Sequence, residues 1–346
     1  MTKTIEENER IKRRYFAYLR GPKGRDAKTV NKVAASIARF EKSTNHKPFK
    51  KFHIDQASKF KLYLEKVKNE RTKRPLSYAT IDAELRYVKA FFFWLAGQQG
   101  YKSRISYPDT EYFNNSLKNA RVAHTHRPMK YPTLQQCKRA FEAMAESTTI
   151  QMRDKAVFAL FMLAGPRVKA ASTLRLSHVH IDENFIYQDA RQVETKGAKT
   201  IRTEFYPVDI IYYDYFKKWV SYLYDVLLFG PEDPLFPKPM KANFGKIEDL
   251  SRLPYADSSR LYKIVKTAFQ NVQMHGYSPH NFRRTHGALS NDYCKTPEQI
   301  KAWRLNYGHE DTTTFIDSYV SLGEARQIEI LQEMRRSSLA KPEVTG

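Results

Sequence analysis

Apolar side chains recur at helical spacing along most of the chain. Over 28–42 (KTVNKVAASIARFEK), Val30, Val33, Ile37 and Phe40 share one face and Lys and Arg occupy the other, which predicts an amphipathic helix. Asp55 is placed to cap a second helix, with Phe60, Leu62, Leu64 and Val67 as its apolar positions. After the basic turn Arg71-Thr72-Lys73-Arg74-Pro75, a third helix is expected over 78–96. It carries Ile81, Leu85, Val88 and the block Phe91-Phe92-Phe93-Trp94-Leu95. That block could be a set of stacking platforms, but aromatic residues at this spacing inside a helix read as core. A short fourth helix is expected near 109–117. Residues 26–121 therefore read as an all-helical bundle with a basic outer face. Ahead of it, 1–25 reads as a basic arm with Lys12, Arg13, Arg14, Arg20, Lys23 and Arg25.

Residues 122–132 (VAHTHRPMKYP) lose apolar periodicity and read as a linker between domains. Thr133 then caps a helix over 134–147, a strongly apolar helix spans 151–164, and Gly165-Pro166-Arg167 makes a turn. Alternation changes to the period of strands over 184–208, at Phe185, Ile186, Tyr187, Val193, Ile201, Phe205, Tyr206 and Val208. Thr195-Lys196-Gly197-Ala198-Lys199 looks like a hairpin tip between two of them. Helices are expected again over 210–228, 258–274, 281–294 and 297–306. The Pro-, Gly- and Asp-rich stretch 229–257 reads as the longest loop, and 322–346 as a polar helix with a loose tail.

Charge narrows the partner. The chain carries 59 Lys+Arg and 37 Asp+Glu among 346 residues. Residues 1–130 hold 30 of the basic residues and 12 of the acidic ones, a net of +18, against +4 for the remainder. Such a surplus repels itself unless it meets a polyanion, and nucleic acid is the first candidate because each phosphate contact releases counterions. A merely solubilising surface is the alternative. The 41% hydrophobic content suffices for a core. No apolar run approaches the ~20 residues of a membrane span, and MTKTIEENERIKRR has no secretory apolar region. Cys137 and Cys294 are too few for a disulfide framework and suit a reducing cytoplasm.

Five local features in the second half bear on chemistry. Arg167 follows a buried-looking helix at a Gly-Pro turn. Lys196 stands at the hairpin tip. His280 and Arg283 lie in Ser278-Pro279-His280-Asn281-Phe282-Arg283, where the i, i+3 spacing sets both on one helix face. His309 follows Gly308, and Tyr319 lies ten residues on. Each alone is commonplace. Together and in this order they resemble the tyrosine recombinases, the phage integrase and Xer-type family. In that family an Arg after a Gly-containing turn, a hairpin Lys, a His-x-x-Arg, a Leu-Gly-His and a Tyr follow in sequence. Thr80-Ile81, Leu85, Val88 and Phe91…Trp94-Leu95 echo the family's helical core-binding domain, so the resemblance covers about 28–322.

The resemblance implies a mainly α fold with a small antiparallel β-sheet. Its parts are a helical SAM-like core-binding domain (26–121), an α+β catalytic domain (133–321) and a C-terminal segment (322–346) that could exchange between protomers. It implies that Tyr319 attacks the scissile phosphate and that the bond energy is kept in a phosphotyrosine. Arg167 and Arg283 would face the phosphorane oxygens, with His309 as a further donor. His280 would take or orient the tyrosine proton, and Lys196 would protonate the leaving 5′-oxygen. No metal and no cofactor are implied; the cations are side chains.

Certain positions depart from the family pattern. Ala170 stands where members usually carry an acidic residue, so that either another carboxylate supports Arg167 or the site is looser. Pro166 replaces a usual Leu, and Tyr307 replaces the Leu before Gly308 and reads as packing. Lys199 is a rival for Lys196. His178-Val179-His180 has spacing that could ligate a metal in a strand, but with no third ligand it reads as core or surface. Double-stranded DNA is the implied partner, with four protomers on two paired sites and a DNA-bending accessory protein as a possible addition. Arg74, Arg86 and Lys89 are candidate DNA contacts in the front domain, and Arg127 and Lys130 in the linker. The same residues could equally form a solvated basic face. A mobile element is the favoured setting. A type IB topoisomerase, or a DNA-binding protein that kept the fold without the activity, are the rival readings.

Overall fold

The computed structural model describes residues 3–70, 72–125, 130–195, 199–241, 247–308 and position 332. Contacts divide the chain into two compact units, 1–127 and 128–346.

The front unit is helical. Helices α1 (Lys3–Arg20), α2 (Ala27–Ser43), α3 (Ile54–Lys66), α4 (Tyr78–Ala96) and α5 (Leu117–His124) follow in order, with 3-10 turns at Phe49–Lys51 and Pro108–Phe113. Asp26 caps α2 by accepting from Thr29 N at 2.7 Å, and Ser77 caps α4 through Thr80 N, each satisfying a donor that the first turn leaves open. The apolar stripes read from the sequence meet in one aromatic core. Phe40 lies edge-on to Phe60, Phe92 and Phe113, with centroids 5.1–5.6 Å apart, the geometry that ring quadrupoles favour.

Four details differ from the sequence reading. Residues 3–20 are a helix and not an arm: Ile11, Tyr15 and Leu19 are buried in the front core, and Lys12 is buried against Glu41 and Glu9 at 2.6 Å. The cap of α3 is His53, whose Nδ1 accepts from Asp55 N while Gln56 reaches back to His53 N. Asp55 instead sits in the first turn, and Leu62 is 59% exposed. The fourth helix is split, because Pro108 opens a 3-10 turn and α5 starts only after Ser116. The segment read as a linker therefore begins inside α5.

The second unit is built on α7 (Thr149–Leu163), whose second half, Ala156 to Leu163, is apolar on every side and buried. Around it pack α6 (Leu134–Glu142), α9 (Ile210–Ser221), α10 (Ser259–Asn271) and α11 (Pro279–Tyr293). The short α8 (Val168–Ala171) follows the Gly165 turn, and α12 (Pro297–Leu305) follows α11. Strands β1 (Val179–His180), β2 (Phe185–Gln188) and β3 (Ile201–Glu204) form an antiparallel sheet in that order, with Ile186 opposite Thr203 and Gln188 opposite Ile201. Beyond β3, residues 205–208 are not strand; Tyr206 N donates to Leu163 O, which ties this segment to α7. The long loop contains a small hairpin of its own, β4 (Pro239–Lys241) and β5 (Ile247–Leu250). The chain is thus mainly α with a small antiparallel sheet. Among the described residues, no helix is long and apolar enough to cross a membrane.

Candidate active site

Helix α11 presents the His-x-x-Arg face, and its start is firmly set. Pro279 occupies the first helical position, where its missing N–H costs nothing. Asn281 Oδ1 accepts from Ser278 N at 2.8 Å and from Ser278 Oγ at 3.0 Å. Two side chains of the helix grip the segment at the start of the unit: Asn281 Nδ2 donates to Lys130 O at 2.9 Å, and Thr285 Oγ1 to Pro132 O at 2.7 Å.

Arg283 is 3% exposed. Its Nη1 donates to Gly165 O at 2.8 Å, its Nη2 to Tyr307 O at 3.3 Å, and its guanidinium lies 4.1 Å from the Tyr307 ring centroid. One side chain therefore joins the turn before Arg167 to the end of α12. The turn has its own support. Gly165 has φ +54, and a Cβ there would meet His286 Nδ1 at 2.9 Å, so glycine is required on both conformational and steric grounds. His286, fully buried, bonds through Nε2 to Met162 O at 2.8 Å and stacks on Tyr206. Burial holds it neutral, with its pKa lowered to about 3.

Arg167 caps α8 and lines, with Arg283, a cavity of about 10 Å³. His280 is exposed, but protein crowded around the imidazole, and the charges of Arg284, Arg283 and Arg167, pull its pKa from 6.5 to about 4. At neutral pH it is an uncharged imidazole within the field of three guanidiniums. At the far end of the site, Asn306 is pinned to β3: Glu204 N donates to Asn306 Oδ1 at 2.7 Å, and Asn306 Nδ2 to Glu204 O at 2.9 Å. Gly308 follows with φ +68, where a Cβ would stand 2.5 Å from Ile201 Cδ1. This glycine lets the chain pass flush against the sheet immediately before His309.

Arg167, His280 and Arg283 are thus brought together. Lys196, His309 and Tyr319 lie outside the described residues, as do Arg127 and the apolar positions Ile328, Ile330, Leu331 and Met334 of the tail. Lys199 is half-buried, and its carbonyl accepts from Thr195 Oγ1 at 2.7 Å. Tyr307 is 2% exposed and stacked on Tyr206, in keeping with packing. His178 is buried, with Nδ1 accepting from Arg175 N and Nε2 on Gln192, and His180 stacks on Phe185; both read as structural. In the front unit Arg74 is exposed. Arg86 pairs with Asp82 at 3.1 Å, and Lys89 reaches Glu111 and Asn114 at 2.8 Å. Lys130 is exposed. Sequence reasoning missed His286, although its i+3 step from Arg283 on the same helix was available as a signal.

The fold is similar to those of solved integrases. A Tn1549 transposon integrase (residues 82–397), solved in complex with circular intermediate DNA, matches over 93% of this chain and 98% of its own, with TM-score 0.59 and 15% identity. A lambda integrase (residues 75–356) dimer bound to a COC′ core site matches over 91% and 98%, with TM-score 0.58 and 12% identity. The chain has the tyrosine-recombinase fold. No family model and no curated protein matches the sequence. Within this fold, Arg167 and Arg283 line one cavity of the second unit and His280 feels the charge of both, while the aromatic block of α4 is divided. Phe91, Phe92 and Leu95 are core, and Phe93 is 52% exposed beside Tyr107.

Proposed function

We propose that the chain is a tyrosine-type site-specific DNA recombinase acting for a mobile element. Tyr319 Oη attacks the scissile phosphorus, a 3′-phosphotyrosyl bond forms, and the bond to the 5′-oxygen breaks. His280 receives the phenolic proton and Lys196 gives one to the departing 5′-oxygen, which leaves as the 5′-hydroxyl. Arg167, Arg283 and His309 take up the charge that grows on the non-bridging oxygens. In the return step a 5′-hydroxyl of the partner strand displaces the tyrosine, so no external energy source enters.

The observation that supports this most is the meeting of Arg167 and Arg283 with a neutral His280. Two permanently charged forks suit a phosphorane, and a histidine with its pKa lowered to about 4 is unprotonated at neutral pH, the state a general base needs. The basic surplus of residues 1–130 suits DNA, with Arg74, Arg86, Lys89, Arg127 and Lys130 as candidate phosphate contacts. Four protomers on two paired sites inside the cell, with or without a DNA-bending protein, complete the reading.

The test traps the intermediate. Protein is incubated with nicked suicide duplexes from its native genetic neighbourhood, beside a Tyr319→Phe control, and SDS-resistant adducts are mapped by mass spectrometry. An adduct on Tyr319 that is lost in the control is the expected result. Specific DNA complexes with no adduct would favour a DNA-binding protein without the activity, and relaxation of any supercoiled plasmid would favour a topoisomerase.

A further inference from the structure

The cavity beside Arg167 has a polar wall for which the motifs do not account. Ala170, 1% exposed, stands three residues after Arg167 and offers only a methyl group to a space of about 10 Å³, room for about one water. The same cavity is lined by Gln188, the last residue of β2, 4% exposed, together with Thr203 and Asn306. A buried amide needs partners, and here its orientation follows from a chain of donors. The Asn306 backbone carbonyl can only accept, so Thr203 Oγ1 donates its one proton there, at 3.2 Å. Only lone pairs of Thr203 remain toward Gln188, so the amide must present Nε2, which it does at 3.0 Å. Oε1 is thereby left as an acceptor on a side chain that lines the same cavity as Arg167.

We propose that Gln188 is a positioning residue for Arg167. Its Oε1 accepts from the guanidinium, directly or through one water in the cavity, and sets the direction in which the remaining N–H groups face the phosphate. The proposal rests on the recombinase reading and deepens it. An acid at position 170 would orient the fork and also offset its charge. An amide orients it and leaves the whole charge for the phosphate. Gln188 thus takes over the orienting role in a chain where Ala170 cannot supply it.

The experiment measures the rate of Tyr319 adduct formation on suicide duplexes, DNA affinity and thermal midpoint, in the full chain. Gln188→Leu is expected to slow adduct formation on the order of 10- to 100-fold, as misorientation of a reacting group does, with affinity and midpoint unchanged. Gln188→Glu, which restores an acceptor, is expected to recover most of that loss. Thr203→Val, which keeps Gln188 but removes the group that points it, is expected to slow the reaction as well, and serves if Gln188→Leu does not fold. In an Arg167→Ala background, Gln188→Leu makes no further difference. A wild-type rate in either Gln188→Leu or Thr203→Val overturns the proposal, as does equal slowing by Leu and Glu, which marks a purely structural role. If the wild-type chain forms no Tyr319 adduct, the recombinase reading fails and this proposal with it; if it does and Gln188→Leu matches it, only this proposal fails.

Discussion

In the front unit, Lys12, Arg39, Lys50, Arg86 and Lys89 each meet a carboxylate: Glu41, Glu84, Glu7, Asp82 and Glu111. In the candidate site, the partners of Arg283 among the described residues include two backbone carbonyls and a tyrosine ring. A carboxylate cancels the charge it binds, whereas a carbonyl dipole fixes direction and leaves the charge available. The contrast separates cations paired across a helical bundle from a cation held by backbone dipoles beside the cavity of the second unit. It also explains why the front unit's strong surplus does not by itself point to particular contacts, since several of its cations are already engaged.

The largest effect that would test this contrast is at Arg283. Arg283→Ala is expected to lower strand cleavage by about 10²- to 10³-fold, the loss of one charge-stabilising group, while DNA affinity in gel-shift titrations stays within about threefold, because binding is spread over many phosphates. An equal loss of affinity would mean that Arg283 is an ordinary phosphate contact. Next in size is the buried pair of the front unit. Lys12→Met leaves Glu41 buried without its cation, and about 3 kcal/mol of stability should be lost, read as a lower midpoint in calorimetry of the whole chain. A midpoint unchanged within error would show that Asn8 Nδ2, 3.1 Å from Glu41 Oε1, satisfies the carboxylate alone. Gly308→Ala should cost about 1–2 kcal/mol through its positive φ, and Ile201→Ala should relieve the steric part of that cost in the double variant. Additive losses would place the strain in the backbone.

Acid provides a further probe. His280 and His286 have folded-state pKa values lowered to about 4 and about 3, against 6.5 in an open chain. The unfolded chain therefore binds protons first as pH falls. Their contribution is complete above about pH 6.5 and is lost progressively below it, toward pH 4 and 3. Cleavage, if His280 is the base, should hold from neutral pH down to about pH 5 and fall near pH 4; a fall centred at 6.5 would remove His280 from that role. The smallest effect is at Lys89. Lys89→Ala should change stability by under about 1 kcal/mol. It should lower the salt dependence of DNA binding by about one unit only if Lys89 leaves Glu111 for a phosphate.

Much of this was legible in the sequence, and the failures have physical causes. Val30, Val33, Ile37 and Phe40 announced α2 because one face of the helix is buried. Helix α1 was obscured because its three core residues, Ile11, Tyr15 and Leu19, stand one turn apart among charges, and Lys12 breaks the rule that lysine stays outside. The His53 cap was illegible because imidazole is an uncommon capping acceptor, and β4 and β5 were too short to set a period. In the site, His280 and Arg283 could be paired because three residues along a helix is a fixed geometry. Gln188 could not be found that way, since its place beside Arg167 depends on the register that sets it opposite Ile201 and on a carbonyl 118 positions later, at Asn306. Lys196, His309 and Tyr319 rest on motif alone.

The hold of α11 on the start of its unit is made by Asn281 and Thr285 to the carbonyls of Lys130 and Pro132. Carbonyl oxygens are common to every residue type, so this grip reads the path of the chain and is blind to the side chains on it. Lineages can rewrite positions 130 and 132 without loosening the helix that carries His280 and Arg283. A different front unit could likewise be grafted upstream with the second unit's anchor intact.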